Sequence, residues 1–305
     1  MSKVVVVGST NTDMTVRVPR IPAPGETILG HAFQTTAGGK GANQAVAAAR
    51  AGGTVVFVTA VGTDSLGDRA VENLVRENID VGLVRRVADV PSGVALIVVD
   101  DAGENSIAVA PGANLELRPE DVEPLEGLIE PGDVVLLQLE IPLATVEAAS
   151  GLAAKHGARV ILNPAPAQAL PDSLLAAVSI LTPNEAEAAQ LAGLAASDRI
   201  DLTRAVGALH QRGVRGVLVT LGARGVFASG IGESELVRGF TVAAIDTTAA
   251  GDVFNGALAV ALVERQSPRK AIRFASAAAA LSVTRMGAQA SAPRRDEIET
   301  FLREH

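Results

Sequence analysis

Cysteine is absent from the 305 residues, as are tryptophan and tyrosine, and aromatic residues of any kind make up 2% of the chain. The first absence excludes disulfides, thiolate metal sites and cysteine nucleophiles. With so few rings, stacking against bases or sugars has little to work with, and specificity must rest on hydrogen bonds. There is no cluster of Lys and Arg, and the net charge is −8. That balance argues against a nucleic-acid partner, because phosphate backbones are bound mainly by concentrated positive charge. Apolar runs fall far short of the roughly 20 residues that span a bilayer, so no membrane association is expected. Only four valines separate Lys3 from Gly8, too few for the apolar region of a signal peptide, and a cytoplasmic location is therefore expected. The four histidines, His31, His156, His210 and His305, are scattered without metal-ligand spacing and receive no chemical role.

What is present is ordinary for a globular enzyme: 48% hydrophobic and 20% charged residues, at a length that suits one large domain with an appendage. Short β-branched runs at Val4–Val7, Val55–Val61, Val134–Leu139, Arg159–Leu162 and Val217–Thr220 read as strands buried on both faces. Between them, Ala-rich stretches near 42–50, 66–78, 143–155, 185–191 and 202–212 read as helices. This alternation predicts an α/β fold, doubly wound around a mostly parallel sheet flanked by helices. Two regions break the rhythm: Met14–Ala37, rich in Pro and Gly, and Gly93–Ala110, where apolar runs flank Asp-Asp-Ala-Gly-Glu-Asn. They are expected to form a small β-sheet outside the main one, a candidate lid on a single domain spanning 1–305.

Several segments carry candidate chemistry. Asp246-Thr-Thr-Ala-Ala-Gly251-Asp252-Val-Phe-Asn255-Gly256 places small residues ahead of an Ala-rich helix. Open amides and the positive dipole end favour an anion there, and Gly251 lets a phosphate approach the backbone. Asp252 is either a helix-capping carboxylate or the base that takes a proton from a phosphoryl-accepting hydroxyl. Asn11 and Asp13 follow the first strand, where they form an ordinary turn or bind vicinal hydroxyls. Gly38-Gly39-Lys40-Gly41-Ala42-Asn43 opens a helix but fails the P-loop pattern, since Gln34 stands at the first Gly and Gly41 at the Ser/Thr. The dinucleotide fingerprint fails as well, with Thr10 at its second Gly. The glycines instead suit close approach to a small polyol, with Lys40 and Asn43 as donors. Glu140 ends another buried strand at the same edge, as a ligand or as a structural carboxylate. Asn184 and Glu187, spaced i, i+3 at a helix start, read either as a cap or as holders of a magnesium hydration shell. Thr220 through Gly225 suits backbone approach by phosphate or adenosine, or a plain hairpin turn.

Together these segments resemble the ribokinase family of carbohydrate kinases from Val4 to Phe301, most specifically at 38–43 and 246–256. The resemblance implies ATP-dependent phosphorylation of a small sugar, with D-ribose at O5 first and deoxyribose, fructose or a nucleoside as alternatives. It implies Asp252 as catalytic base and Ala249, Ala250 and Gly251 as the anion hole. Sugar contacts would be Asn11, Asp13, Gly39, Lys40, Asn43, Glu140 and Asp252. Nucleotide contacts would come from Asn184, Thr220, Gly222, Ala223, Arg224, Gly225, Gly251 and Ser276, the last standing where relatives often carry a histidine. Magnesium would be held with ATP near Glu187 through water. An activating potassium ion would lie near Asp246, Thr248, Ser282, Arg285, Gly287 and Ser291. The β lid would also make a homodimer interface. Two rival readings are a nicotinamide-dependent dehydrogenase, against which the failed glycine fingerprint weighs, and a non-enzymatic sugar sensor, which leaves the Gly251-Asp252 pairing unexplained.

Overall fold

Val4–Val7 (β1) lies at the centre of the molecule, and all four valines are fully buried. Each fully buried valine contributes about 1.5–3 kcal/mol. Their side chains alternate between two cores: Val4 and Val6 pack with one set of helices, Val5 and Val7 with the other. A strand so placed needs cover on both faces, which is why β-branched runs here alternate with helices. The computed structural model describes residues 2–194, 201–232 and 234–305.

The chain leaves β1 for β2 (Asn11–Arg17) and β3 (Ala32–Gly38), then enters helix α1 (Lys40–Arg50). It continues through β4 (Val55–Gly62), α2 (Ser65–Arg76), β5 (Val84–Val87), β6 (Gly93–Val99) and β7 (Asn105–Ala110). The second half runs β8 (Val134–Leu137), α3 (Leu143–Lys155), β9 (Arg159–Leu162), α4 (Asp172–Ala177), β10 (Ile180–Leu181), α5 (Glu185–Leu191), α6 (Leu202–Gln211) and β11 (Gly216–Thr220). Two short strands follow, β12 (Val226–Ser229) and β13 (Glu235–Val237), and the chain closes on α7 (Ala250–Val263), α8 (Pro268–Ser282) and α9 (Arg295–Glu304).

The large sheet has the order β13-β12-β11-β10-β9-β8-β1-β4-β5, parallel except for β12 and β13 at one edge. Strand order reverses at β1, with β4 on one side and β8 on the other. In such sheets the crevice at the carboxyl ends of the strands around the reversal is where ligands bind. The second sheet, β3-β2-β6-β7, joins two antiparallel hairpins through a parallel β2–β6 pair. Its first strand starts at Asn11, three residues earlier than the composition of the segment indicates. Asn11 and Asp13 therefore lie on a strand rather than in a turn after β1.

α7 is buried from Asp252 through Leu262, sandwiched between α1 and α8. Its close approach to α1 depends on Gly256, where a Cβ would stand 2.6 Å from the Gln44 carbonyl oxygen and 2.7 Å from the Ala47 Cβ. Replacing Gly256 by Ala forces the two helices apart and should cost about 1–3 kcal/mol, read as a lowered midpoint in urea denaturation at an unchanged m-value.

Candidate active site

The loops leaving β1, β8, β9, β10 and β11 all emerge at the carboxyl edge, and the start of α7 points into the same crevice. α7 begins without a side-chain cap, on Ala249 at φ 59°, ψ 12°. A non-glycine residue in this left-handed region costs roughly 1–2 kcal/mol, and such strain is typically kept where a site requires it. Its effect is to break the turn before the helix. The Ala250 N–H makes only a 3.3 Å bond to Thr247 O, and among the described residues the N–H groups of Gly251 and Asp252 have no backbone acceptor. At the start of α1, by contrast, the Lys40 N–H donates to Glu140 Oε2 at 3.1 Å and the Ala42 N–H to Ser9 O at 2.8 Å. The α7 amides and dipole are thus left to an anion.

Asp252 is 6% exposed. Its Oδ2 accepts from Asn43 Nδ2 and its Oδ1 from Gln44 Nε2, both at 3.0 Å. Burial pushes its proton affinity up, while Lys40 and the two amide donors pull it back, leaving it above the ordinary carboxylate value. A carboxylate so placed is both ionisable and avid for a proton, the property of a general base.

Around it the sugar-binding candidates converge. Gly39 turns the chain from β3 into α1 at φ 88°, and a Cβ there would lie 2.7 Å from the Asn11 nitrogen, so only glycine lets α1 start against β2. Asn114 fixes Asn11, its Nδ2 donating to Asn11 Oδ1 at 2.7 Å, and so leaves the Asn11 Nδ2 for another acceptor. Glu140 is partly structural: its Oε2 accepts from Ser9 Oγ at 2.5 Å and from the Lys40 N–H. The buried Asn43 Oδ1 has no partner among the described residues, consistent with an acceptor reserved for a ligand hydroxyl. Burial, with Glu140 and Asp252 nearby, pushes Asp13 up to about 6. Burial presses the Lys40 ammonium down, but Asp252, Glu140 and Glu187 together carry it above its ordinary value. One lysine thus serves three carboxylates, with Asp13 close by, a concentration of acceptors suited to a polyol.

Beside this pocket lies a second concavity of about 350 Å³ bounded by Thr220, Gly222, Ala223, Gly225, Gly251 and Ser276 from the nucleotide-binding candidates. Phe240, Val242, Ala244, Phe254, Ala279 and Val283 complete its mainly apolar wall. The segment from Gly239 to Ala244 escaped sequence reasoning because apolar groove residues read as core. The Ser276 hydroxyl is buried and unpartnered there. The side chains of two nucleotide-binding candidates already have partners within the protein: Arg224 pairs with Glu185, and Asn184 caps α5. In that cap Asn184 Oδ1 accepts from the Glu187 N–H at 2.9 Å and Glu187 Oε2 from the Asn184 N–H at 2.8 Å. Glu187 still faces the site. Burial raises its proton affinity, the Asn184 N–H and Lys40 oppose that, and Asp252 adds to it. No group of three or more His, Asp or Glu side chains with metal-holding geometry occurs among the described residues. A divalent ion would accordingly need phosphate oxygens as its main ligands, with Glu187 reached through water.

Behind the α7 turn, Asp246 Oδ1 accepts from the Thr248 N–H at 2.9 Å and Oδ2 from the Gly287 N–H at 2.8 Å. Burial works against its ionisation, yet these bonds and the nearby Arg17 hold it below the usual range. The Ser282 carbonyl accepts from the Arg285 N–H, and the Ser291 hydroxyl donates to Ala288 O. Arg285 directs its guanidinium to Glu297, so only its backbone can face this loop. Arg50 of α1 holds the loop from outside through Gln289 O and Ala292 O, at 2.8 and 2.9 Å.

A free-amide helix start beside a polyol pocket and an apolar groove defines an enzyme that passes a phosphoryl group from a nucleotide to a hydroxyl. The comparisons with known proteins agree. Residues 1–295 match the family described as pfkB family carbohydrate kinase, and the chain belongs to that family. It is 48% identical over 297 residues to a ribokinase of Haemophilus influenzae, covering 97% of each chain. Among solved structures it is similar to a ribokinase from Thermotoga maritima, with a TM-score of 0.90 and 41% identity over 99% of this chain and 100% of that one. The Arabidopsis thaliana ribokinase solved with ribose and ATP gives a TM-score of 0.90 at 37% identity, over 99% of both chains.

Two outcomes are expected at this site. A Cβ on Gly251 would meet no protein atom within 4 Å, so Gly251→Ala should melt with the wild type. It would intrude on the anion, and should lose roughly 10²-fold in kcat/KM for ATP, measured by coupled ADP release. For Asp13, a folded value near 6 against an ordinary 3.8 means the folded form holds its proton more tightly. That contribution to stability is full below about pH 4 and is lost as pH rises through about 6, by about 3 kcal/mol at most. The Tm advantage of Asp13→Asn over wild type, followed by calorimetry without ligand, should accordingly grow between pH 4 and 7; a pH-independent difference would contradict this assignment.

Proposed function

We propose that this enzyme phosphorylates D-ribose on its terminal hydroxyl with ATP, giving D-ribose 5-phosphate and ADP. The observation that carries the reading is Asp252, a buried carboxylate held by Asn43 and Gln44 in the first turn of a helix whose Gly251 and Asp252 amides have no backbone acceptor among the described residues. Ribose hydroxyls would meet Asn11, Asp13, Gly39, Lys40, Asn43 and Glu140, with O5 beside Asp252. As O5 bonds to the γ-phosphorus, its proton passes to Asp252, the bond from phosphorus to the β-bridging oxygen breaks, and ADP keeps that electron pair. The backbone of Ala249, Ala250 and Gly251, with the Asp252 amide beside it, would hold the transferring oxygens, a contribution usually larger than that of the base. Adenosine would occupy the apolar groove along Thr220–Gly225 and Ser276. Magnesium, when bound with ATP near Glu187, supplies charge neutralisation between the β- and γ-phosphates.

Potassium activation is supported by the loop where an ionised Asp246 meets Thr248 and Gly287; the Ser282, Arg285 and Ser291 positions would complete the ion's ligands through backbone oxygens. When bound, the ion would add positive charge behind the anion hole. The β2-β3-β6-β7 sheet carries Asn11 and Asp13, which supports its role as a lid on the sugar. Exposed Phe33, Leu96, Ile107 and Val109 on that sheet suit pairing with a second copy. Nothing in the chain's charge suggests nucleic acid, and among the described residues no helix is long and apolar enough to cross a membrane. A cytoplasmic location fits these substrates.

The decisive assay is ADP release with ATP and Mg²⁺ over a panel of pentoses, 2-deoxyribose, hexoses and nucleosides, with and without potassium. Selective turnover of ribose, stimulated by potassium, is the expected result; preference for another sugar would reject the ribose assignment. In the same assay Asp252→Asn should lose about 10²- to 10⁴-fold in kcat while still binding ribose by calorimetry.

A further inference from the structure

Beneath the first turn of α7 runs a chain of buried amides that the reaction itself does not use. Gln44, fully buried, donates through Nε2 to Asp252 Oδ1 at 3.0 Å and to Asn163 Oδ1 at 3.1 Å. Its Oε1 accepts from the buried Gln138 Nε2 at 2.6 Å. Asn163 Nδ2 donates to Thr182 O at 3.2 Å, Thr182 Oγ1 donates to Asn255 Oδ1 at 2.7 Å, and Asn255 Nδ2 donates to Gly251 O at 2.8 Å. These side chains stand on α1, α7 and the ends of β8, β9 and β10, so the chain ties the sheet edge to the anion-binding turn.

The direction of every bond is determined by groups that can only accept. An ionised Asp252 requires the NH₂ side of Gln44, and the carbonyl of Thr182 requires the NH₂ side of Asn163. Gln44 must therefore turn its oxygen toward Gln138, which answers with its own NH₂ and leaves Gln138 Oε1 buried without a partner. The Asn163 oxygen, fixed by the Thr182 carbonyl, prevents the Gln44 amide from flipping and placing an oxygen against the carboxylate, and the bond from Gln138 anchors the other end of that amide.

We infer that Gln44, held between Asn163 and Gln138, is the positioning residue that aims the Asp252 carboxylate at the sugar hydroxyl and keeps it ionised. Asp252 has two donors, Asn43 on one oxygen and Gln44 on the other. Only Gln44 is itself held in orientation by a further side chain. The charged groups facing Asp252 are Asp13 from β2, Lys40 at the start of α1, Glu140 beyond β8 and Glu187 from α5. Three of these four carry negative charge and disfavour its ionisation; Lys40 opposes them most strongly, and the Asn43 and Gln44 donors supply the rest of the opposition. Removing Gln44 should raise the proton affinity of the base.

This inference rests on the kinase reading, and the test separates the two. Wild-type ATP- and sugar-dependent turnover is measured first, then Gln44→Met, an unbranched replacement of similar size. Expected are a loss of about 10²-fold in kcat, a sugar KM changed by less than roughly threefold, and an acidic limb of the kcat/KM pH profile moved up by roughly one unit. Gln138→Met, which touches neither Asp252 nor substrate, should move the limb in the same direction by less, and it decides the matter if Gln44→Met does not fold. An unmoved limb in a folded Gln44→Met, or in Gln138→Met where it must stand in, would overturn the inference while leaving the kinase assignment intact. A loss confined to sugar KM would do the same. Absence of wild-type turnover with every sugar would overturn the kinase reading and this with it.

Discussion

A carboxylate kept ionised inside a dry helix start is costly, and most of the crevice is arranged around keeping Asp252 in that condition. Isolated in an apolar interior it would simply take up a proton. Here Lys40 stands across from it, and Asn43 and Gln44 donate one hydrogen bond to each oxygen. Those donors come from adjacent positions on α1, so α1 must lie close against α7. The small residues along that helix pair, Gly256 above all, permit the approach. The electrostatics of one group thus dictate the packing of two helices.

The same crevice sorts its ligands by chemistry. Carboxylates and amides crowd the side reached from β2, α1 and β8, where a polyol donates many hydrogen bonds. The opposite side, between β11 and α8, is mainly apolar and suits a flat, weakly polar base. Between them lie the open amides of α7, suited to a phosphate that both sides could reach. Strand reversal at β1 creates this meeting place: chain segments remote in sequence arrive at one edge from both directions.

The α/β class and the strands of the parallel sheet were legible because buried parallel strands leave continuous β-branched runs. Asp252, Lys40 and Asn43 stood out because glycine and small residues surround a charge at a helix start, but the spacing left Asp252 open between a capping carboxylate and a base. Other parts left no pattern. Gln44 and Gln138 read as ordinary polar residues, since nothing in a sequence distinguishes a buried amide with partners from one in water. The groove segment from Gly239 to Ala244 looks like core, being apolar. The capping and ligand roles of Glu187 rest on the same carboxyl group, so spacing alone could not separate them, and the structure displays the cap together with an orientation toward the site. Position in the sequence does not say what a guanidinium pairs with: Arg285 takes Glu297 and Arg224 takes Glu185, which leaves the Arg285 backbone for the loop.

The small sheet has one further consequence. Its central contact is the parallel pairing of β2 with β6, Asn11 alongside Gly93, and the whole of α1, β4, α2 and β5 intervenes between them in the chain. Contacts between such distant segments carry a large loop-closure cost and form late. Either hairpin could arise early, but Asp13 gains its final neighbours only once the central sheet has brought both hairpins together. Affinity for sugar should therefore emerge at the end of folding, so that a nascent or half-collapsed chain has none, and ligand binding reports on completed topology rather than on secondary structure.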